Sequence, residues 1–306
     1  MSYINGNYVV FPLPGGGRQK RALRSNENLN PNFPDSIDLK ITNSCSQGCP
    51  FCHENSIPGG KSFSLSRTRS VLSTLPKAPI EIAIGGGNIF DCSKDTYELI
   101  KWMKDYGFNP RITISYEEFK KREDVFYQPS WTKSKNHEES LIKEVSHIGV
   151  SINRHITLTN YLSKSIVWHV IIGVMPIEEM IKVLQDSNFK KILILGFKQF
   201  GRAKDQEISN LEDWKLLIKN LIQENNDSIP KTIGFDNLAL EQLEVKKYLS
   251  EEDWNSLWFG PEFSSSMYID AVEETFAPTS RSIKRTSWNS ISLLDYFNLN
   301  KNVFSD

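Results

Sequence analysis

Long apolar runs are missing from this 306-residue chain. The most apolar stretch, residues 166–177, contains His169 and Pro176 and falls short of the roughly 20 apolar residues that a membrane helix needs. The first residues, Met1-Ser-Tyr-Ile-Asn-Gly, include no basic region followed by an apolar stretch, so we expect no secretory signal. We therefore expect no membrane partner.

An excess of charge of either sign is also missing, since 36 Lys and Arg face 37 Asp and Glu and the net charge is −1. A chain this close to neutral has no global field that draws it to nucleic acid or to an anionic membrane. Glycine and proline (17 and 14 residues) are too few for a disordered chain, and 39% hydrophobic residues fit an ordinary globular protein. The length allows one large core or two modest ones.

Cysteine is scarce, and its placement is informative. Three of the four cysteines, Cys45, Cys49 and Cys52, lie within eight residues, and the fourth is Cys92. This clustering argues against intramolecular disulfides and favours a reducing, cytoplasmic setting. A [4Fe–4S] cluster normally takes four cysteine ligands, so three thiolates leave one iron open to a substrate or cofactor. The pattern indicates an iron–sulfur enzyme with no second cluster, because Cys92 alone cannot hold one.

Strands and helices alternate along most of the chain. Four helices are predicted, at Leu65–Leu75, Tyr97–Tyr106, Ile177–Asp186 and Leu211–Glu224. Eight strands are predicted, at Ser36–Ile41, Ile80–Ile84, Arg111–Ser115, Ile148–Ile152, Ile166–Ile172, Lys191–Leu195, Thr232–Asp236 and Ser266–Asp270. This alternation indicates an α/β protein with a parallel sheet and helical crossovers.

Three segments follow from that pattern. Residues 35–275 form one barrel-like domain, residues 1–34 an arm or hairpin before it, and residues 276–306 a tail in which Ile291 to Phe297 suits a short amphipathic helix. The stretch between Ser115 and about His137 is polar and poorly periodic, so no element is predicted there.

The triad Cys45-Ser-Gln-Gly-Cys49-Pro-Phe-Cys52 resembles the signature of the radical S-adenosylmethionine superfamily, in which an aromatic residue usually precedes the last cysteine, as Phe51 does here. The resemblance implies a partial (β/α)6 TIM-like barrel with parallel strands, here with short N- and C-terminal extensions. The lack of spare cysteines indicates a single-cluster member and argues against the peptide-maturing members that carry a cysteine-rich auxiliary domain. The resemblance implies that the three cysteines hold the cluster and that Phe51 lies near the adenine.

The resemblance implies further cofactor-binding residues. Gly85, Gly86, Gly87 and Asn88 follow the second strand of the barrel, where members of the family hold the amino group of the methionine moiety with a glycine-rich segment. That segment often ends in glutamate, and Gly87 departs from this pattern. A simple tight turn is the alternative, whereas a Rossmann phosphate loop would need a later glycine. Ser151 and Asn153, at the end of the fourth strand, are expected against the ribose hydroxyls.

Charged residues after later strands are the candidates for catalysis. In the segment Leu195-Gly-Phe-Lys-Gln-Phe-Gly-Arg202, Lys198 and Arg202 are placed to clamp a carboxylate, because the carboxyl ends of parallel strands form the catalytic face of a barrel. Asp236 is a third candidate, and a solvated basic loop is the alternative for the two cations. Glu241 and Asp270 are weaker candidates, and His169 is predicted to be a core histidine with its hydrogen bonds satisfied.

The chemistry that the resemblance implies is reductive cleavage of S-adenosylmethionine. A one-electron donor, of the flavodoxin or ferredoxin type, reduces the cluster, and the resulting 5′-deoxyadenosyl radical abstracts a hydrogen atom from the substrate. The substrate could be a peptide, a nucleoside or a small metabolite, and the sequence leaves these alternatives open. A protein that keeps the fold and the cluster but no longer catalyses the reaction is a further alternative.

A zinc-stapled binding module is the alternative from another class. Cys45, Cys49, Cys52 and His53 would form a Cys3His site, and the basic arm would contact RNA. Four ligands crowded on one loop are unusual for a zinc knuckle, which normally ties two distant segments together.

Overall fold

The computed structural model describes residues 2–12, 17–25, 27–128, 132–158, 165–223, 231–258 and 260–301. Its thirteen strands, in chain order, are β1 Tyr3–Asn5, β2 Tyr8–Pro12, β3 Arg18–Ala22, β4 Ser36–Thr42, β5 Glu81–Gly86, β6 Asn109–Ser115, β7 His147–Ile152, β8 Ser165–Ile171, β9 Lys191–Leu195, β10 Thr232–Phe235, β11 Ser266–Asp270, β12 Thr275–Ala277 and β13 Thr286–Ser287. The α-helices are α1 Leu65–Leu72, α2 Ser93–Tyr106, α3 Tyr116–Lys121, α4 Glu123–Tyr127, α5 His137–Glu144, α6 Ile177–Gln185, α7 Leu211–Gln223, α8 Asn237–Gln242, α9 Glu251–Leu257 and α10 Leu293–Asn300.

A ten-stranded sheet forms the body of the molecule. Its order is β10-β9-β8-β7-β6-β5-β4-β11-β12-β13, and the strands from β10 to β11 are parallel. The prediction of a parallel α/β partial barrel is confirmed, and the open sheet fits a barrel that does not close. All eight predicted strands are present, each within two residues of its predicted bounds.

Helix ends differ more from prediction than strand ends. The predicted helix Tyr97–Tyr106 begins earlier, at Ser93, because a 3-10 turn over Ile89–Cys92 leads directly into α2. Gly107 ends it in the left-handed conformation, as its lack of a side chain allows. The predicted end of another helix at Glu224 lies outside the described residues.

The two faces of the sheet carry different residues, and this difference creates the cavity described below. One face is apolar and packs against the helices, with Ile37, Leu39, Ile82, Ile84, Ile148, Val150, Trp168, Val170 and Ile194 all fully buried. The other face, which alternates with it, lines a cavity with the small or polar residues Asp38, Ala83, Gly85, Thr113, Ser115, Ser151 and His169, together with the apolar Ile171, Leu193 and Leu195 at one side. A barrel of this fold is usually filled by bulky branched side chains. Here the small inner residues leave room for a ligand.

Strands β1, β2 and β3 form a separate antiparallel sheet that packs at the amino ends of the parallel strands. The buried Asp35, just before β4, accepts hydrogen bonds from Tyr8 Oη (2.5 Å) and Asn5 Nδ2 (2.7 Å). Lys20 Nζ lies 2.9 Å from Asp35, and Arg18 lies 3.2 Å from Glu81 at the start of β5. Two cations of the basic arm are therefore engaged inside the protein, at the end opposite to the cysteines.

Among the described residues, no helix combines the length and the apolar character that crossing a membrane requires.

Candidate functional site

A cavity of about 480 Å³ opens at the carboxyl ends of the parallel strands. Most of the residues singled out by the sequence meet there, although they come from five different strand ends. Those that line it are Cys45, Cys49, Phe51, Cys52, Gly85, Gly86, Gly87, Asn88, Ser151, Lys198 and Asp236. The parallel sheet explains this convergence, because all its strands end on one side.

The cysteines lie on a loop, residues 43–62, that leaves β4 and returns beside its end. Two backbone bonds close the loop, from Cys45 N to Ile57 O (3.0 Å) and from Ile57 N to Asn43 O (3.0 Å). All three thiols are partly exposed to the cavity and none is in a disulfide. Burial, together with the neighbouring thiols of Cys45 and Cys52, raises the pKa of Cys49.

Two kinds of metal centre can be compared with this donor set, a cluster and a single ion. A cluster takes each thiolate on a different iron, so the sulfurs surround a volume instead of converging on one point. No three His, Cys, Asp or Glu side chains of the described residues are arranged to hold one metal ion. A zinc site would also need His53, and His53 Nε2 lies 3.3 Å from Glu54 Oε1. The donor set, three thiols on one cavity wall, fits a cluster held by three cysteines.

The glycine segment after β5 supports the root of the cysteine loop. Gly87 N donates to Thr42 O (2.7 Å) and Asn88 N donates to Ser44 O (2.6 Å). A Cβ on Gly87 would lie 2.2 Å from the Ser44 carbonyl oxygen, and one on Gly86 would lie 2.6 Å from that of Thr42. A Cβ on Gly85 would meet nothing within 4 Å. Gly86 and Gly87 therefore allow two backbones to approach closely, whereas Gly85 leaves space on the cavity wall.

The ribose candidates separate in the structure. Ser151 is the penultimate residue of β7 and lines the cavity, beside Ser115 of β6. Asn153 follows the end of β7, is exposed, and is not part of the cavity wall. Gln47 of the cysteine loop donates to Ser115 Oγ (2.5 Å), a link that the sequence pattern did not indicate.

Arg202 braces the cysteine loop. Its Nε donates to Cys49 O (2.8 Å), its Nη1 to Ser56 O (2.8 Å), and its backbone N to Cys52 O (3.1 Å). The prediction that it faces the cavity as a clamp differs from this placement, because its donors are directed to backbone carbonyls behind the cysteines and it is not among the cavity-lining residues. These bonds also join the segment after β9 to the loop after β4, so the open sheet curls back on itself at this end.

Lys198 and Asp236 do face the cavity. Lys198 Nζ donates to Ser280 Oγ (2.9 Å), which links it to the C-terminal segment. Asp236 Oδ1 accepts from Gly196 N (2.9 Å) and Ala239 N (2.7 Å), so this oxygen caps the start of α8. The cap fixes the orientation of the Asp236 carboxylate at the cavity wall.

A buried charge network below the cysteine loop was missed by the sequence analysis. Glu54, two residues after Cys52, contacts Lys40 Nζ (2.9 Å) and accepts from Tyr268 Oη (3.1 Å), and Lys40 also lies 3.1 Å from Asp270. Burial alone would raise the pKa of Glu54, but His53 and Lys40 outweigh it and hold that pKa far below its usual value. The network ties the loop to β4 and β11. The charges of Lys40 in β4 and of Asp270 at the end of β11 were the available signals.

His169 also differs from prediction. It lines the cavity from β8, and Gly149 on the neighbouring strand makes room for its ring. Its Nδ1 has no hydrogen-bond partner among the described residues, so the expectation of a satisfied core histidine is wrong. Burial lowers the pKa of His169 to about 4, and the ring is neutral near pH 7.

A second, larger cavity of about 980 Å³ lies beside the first. The two are neighbours at the start of α8, where Asp236 faces one and Asn237 the other. Its wall carries Phe200 and the stacked pair Trp254 and Trp258, whose ring centroids are 5.6 Å apart. Glu241, a weaker sequence candidate, lies in this aromatic groove and not in the cysteine cavity.

Comparison with known proteins gives similarity at the level of structure only. No protein-family model matches the chain, and no curated protein matches it in sequence. SuiB of Streptococcus suis, bound to precursor peptide SuiA, matches with a TM-score of 0.60 and 11% identity over 88% of this chain and 65% of SuiB. SuiB bound to S-adenosylmethionine gives a TM-score of 0.58 and 11% identity over 88% of this chain and 66% of SuiB.

A third solved structure, anSMEcpe with bound AdoMet and Cp18Cys peptide, matches with a TM-score of 0.54 and 11% identity over 88% of this chain and 82% of that one. The chain thus spans about two thirds of the length of SuiB. SuiB and anSMEcpe were both solved with S-adenosylmethionine bound, and the present chain has their fold.

Proposed function

We propose that this protein is a radical S-adenosylmethionine enzyme that acts on a peptide. The observation that carries the proposal is the meeting of Cys45, Cys49 and Cys52 with the glycine segment after β5 on one cavity of a parallel partial barrel. A [4Fe–4S] cluster held there and reduced by a one-electron donor would pass that electron to S-adenosylmethionine, which would split into methionine and a 5′-deoxyadenosyl radical able to take a hydrogen atom from the substrate.

The chain's own residues position and enclose these groups. The three cysteines hold the cluster, and Arg202 and Glu54 fix the loop that carries them. Phe51, Gly85 and Ser151 line the wall against which S-adenosylmethionine lies, since each has a free side toward the cavity. Lys198 and Asp236 face the remaining space, where they contact the substrate. The walls of the barrel exclude water from that space.

The aromatic groove supports a peptide as the substrate. It is larger than the cysteine cavity, adjoins it, and carries two tryptophans, one of them 40% exposed. Exposed aromatic rings beside an active site are suited to hold a chain of residues while one of them enters the cavity. SuiB and anSMEcpe were both solved with a peptide bound, which agrees with this substrate class.

The first experiment is anaerobic purification with iron and sulfide analysis, followed by addition of dithionite and S-adenosylmethionine and an assay for 5′-deoxyadenosine. We expect about four irons per chain and release of 5′-deoxyadenosine. Replacement of Cys45, Cys49 or Cys52 by Ala abolishes both, whereas Cys92→Ala spares them because Cys92 lies outside the loop, with its Sγ against Thr96. A protein that carries tightly bound zinc and makes no product would support the binding module instead.

The substrate class is tested with the same assay. A pool of synthetic peptides is expected to raise the rate of 5′-deoxyadenosine formation, and mass spectrometry identifies the altered peptide. Pools of nucleosides and of small metabolites are the comparison arms, and stimulation by either one alone would contradict a peptide substrate.

A further inference from the structure

The side chain of Gln47 lies between two of the cysteines and faces the same cavity. Gln47 belongs to the loop of residues 43–62, two residues after Cys45 and two before Cys49, and it is half-buried. Its amide reaches two groups at once. Nε2 lies 2.5 Å from Ser115 Oγ at the end of β6, and Oε1 lies 3.9 Å from Cys49 Sγ. The Gln47 amide therefore bridges a strand end of the sheet and one of the thiols proposed to hold the cluster.

The hydrogen bonds of this amide depend on whether Cys49 carries a proton. As a thiol, Cys49 donates its S–H to Gln47 Oε1, and Gln47 Nε2 donates to Ser115 Oγ. Ser115 Oγ also accepts from Glu118 N (3.3 Å), as the cap of α3. Ser115 Oγ thus accepts twice, and its own proton has no acceptor among the described residues.

A cysteine that binds iron is a thiolate and has no proton to donate. The carbonyl end of the Gln47 amide would then face a negative sulfur, which is unfavourable. Half a turn about the last bond of the side chain exchanges the oxygen and the nitrogen of an amide. After this turn, Gln47 Nε2 donates to Cys49 Sγ and Gln47 Oε1 accepts from the Ser115 hydroxyl. Ser115 Oγ keeps its bond from Glu118 N, so both sides of the hydroxyl are satisfied.

We propose that Gln47 donates an amide N–H to the Cys49 sulfur when a cluster is bound, and that this bond raises the reduction potential of the cluster. The inference rests on the proposed function, because it concerns a cysteine that binds iron. A hydrogen bond to a ligating sulfur stabilises the negative charge that an added electron brings, so the reduced form is favoured. Gln47 is a positioning residue that acts through Cys49.

The neighbours of Gln47 hold the donor and the sulfur together. Arg202 Nε donates to Cys49 O (2.8 Å), which fixes the backbone that carries the sulfur. Ser115 pairs with Ser151 in the parallel sheet, so the far end of the amide is attached to a rigid strand. The amide is therefore already in place before a cluster binds, and it needs only to turn.

Redox titration of the reconstituted protein, without S-adenosylmethionine, tests the proposal. Dithionite supplies the one electron, and EPR of the reduced cluster gives the midpoint potential. Gln47→Leu keeps the size of the side chain and removes its N–H. We expect this variant to shift the ratio of reduced to oxidised cluster about tenfold towards the oxidised form, a fall of about 59 mV for one electron. Gln185→Leu, at the exposed end of α6 and outside the cavity wall, is the control and keeps the potential of the unaltered protein.

A second variant separates the amide N–H from the attachment of the loop to β6. Ser115→Ala removes the hydroxyl at the strand end and leaves the Gln47 amide, so we expect a shift of less than about threefold. All variants are expected to keep about four irons per chain, because the three cysteines are unchanged. A shift in Ser115→Ala as large as that in Gln47→Leu, or a loss of iron in Gln47→Leu, would show that Gln47 only holds the loop and would overturn the proposal.

Pulsed EPR detects the hydrogen bond directly. In protein whose glutamine side-chain amides carry ¹⁵N, we expect the reduced cluster to show a ¹⁵N coupling that is lost in Gln47→Leu and kept in Gln185→Leu. No coupling in the unaltered protein, or an unchanged potential in Gln47→Leu, would reject this inference alone and leave the proposed function standing. A protein that binds no cluster under any reconstitution would reject both.

Discussion

Arg202 illustrates at the level of one residue how function depends on where donors are directed. Because Arg202 follows a strand of a parallel barrel, its position predicts that the guanidinium binds a carboxylate in the cavity. In the structure its guanidinium donates to two backbone carbonyls of the cysteine loop, Cys49 O and Ser56 O. Backbone carbonyls carry no sequence signal, so this partnership was not predictable from residue types. Arg202 thus braces the loop that carries the three cysteines.

We predict that Arg202→Gln destabilises the protein by about 2–3 kcal/mol, because it removes two hydrogen bonds from a charged donor and leaves partly buried carbonyls without a partner. Urea unfolding measures the loss, and the iron content after reconstitution falls in parallel. Lys204→Gln, two residues away and exposed, serves as the control. If the free energy of unfolding and the iron content were unchanged and only the affinity for S-adenosylmethionine fell, the prediction that Arg202 binds a carboxylate in the cavity would be correct instead.

His169 gives a prediction about pH. Its pKa in the folded protein is about 4, against about 6.5 in the unfolded chain, so the unfolded state binds the proton more tightly. Stability is therefore unaffected above pH 6.5 and is lost as the pH falls from about 6.5 towards 4, by at most about 3 kcal/mol. We expect His169→Gln, which cannot ionise, to lose less stability over this range. Chemical denaturation at pH 7.5 and 4.5 provides the comparison, and parallel losses in the two proteins would contradict it.

At the level of elements, the contact between the ends of β4 and β5 determines where the cysteines lie. The carbonyl oxygens of Thr42 and Ser44 accept from Gly87 N and Asn88 N, and this close approach leaves no space for a side chain on Gly87. The glutamate that the family often carries at this point would not fit this packing. The departure noted in the sequence is therefore explained by the way the loop packs.

Gly87→Ala is expected to displace the cysteine loop, since its Cβ would lie 2.2 Å from Ser44 O. The cost of such overpacking is about 1–3 kcal/mol, and we expect lower iron retention together with a lower melting temperature. The matched control is Gly234→Ala in β10, whose Cβ would make an ordinary contact of 3.5 Å with Leu193. Equal behaviour of the two variants would show that the approach of β4 and β5 does not position the loop.

The short helices α3, α4 and α5 were not predicted, and the reason is physical. They lie in a polar stretch without a clear apolar period, and helices this short depend on tertiary contacts for their stability. Local signals were nevertheless present: Ser115 accepts from Glu118 N, and Asn136 accepts from Glu139 N (2.9 Å), as N-caps do.

At the scale of the whole molecule, the N-terminal sheet and the cavity that carries the three cysteines occupy opposite ends of the parallel strands. The basic arm engages Asp35 and Glu81 at the amino ends, whereas the cysteine loop occupies the carboxyl ends. Phosphate contact by the arm would compete with these ion pairs. The alternative of an RNA-binding arm is thereby weakened by the partners that two of its cations have within the protein.

Because the two ends are separate, stability and activity respond differently to changes in the N-terminal sheet. Tyr8→Phe removes the hydrogen bond to Asp35 (2.5 Å) in a fully buried position and is expected to cost about 1–2 kcal/mol. Urea unfolding followed by tryptophan fluorescence measures it, and the rate of 5′-deoxyadenosine formation stays unchanged at 25 °C. Tyr127→Phe, which loses a less buried bond to Glu123, is the control for the tyrosine hydroxyl itself. An activity loss in Tyr8→Phe without loss of stability would show that the two ends are coupled.

The strands, the parallel sheet and the cluster of three thiols could be predicted from the amino-acid sequence, because each depends on short-range patterns: alternation of apolar residues, glycine after strands, and cysteine spacing. The same patterns indicated Gly85, Lys198 and Asp236 on the cavity wall, since parallel strands all end on one face. The partners of Arg202, the network around Glu54, and the exposure of Asp38 and His169 to the cavity became visible in the folded chain alone. These depend on contacts between residues up to about 230 positions apart, such as Lys40 and Asp270, and on which face of each strand turns inward. No local pattern records either of them.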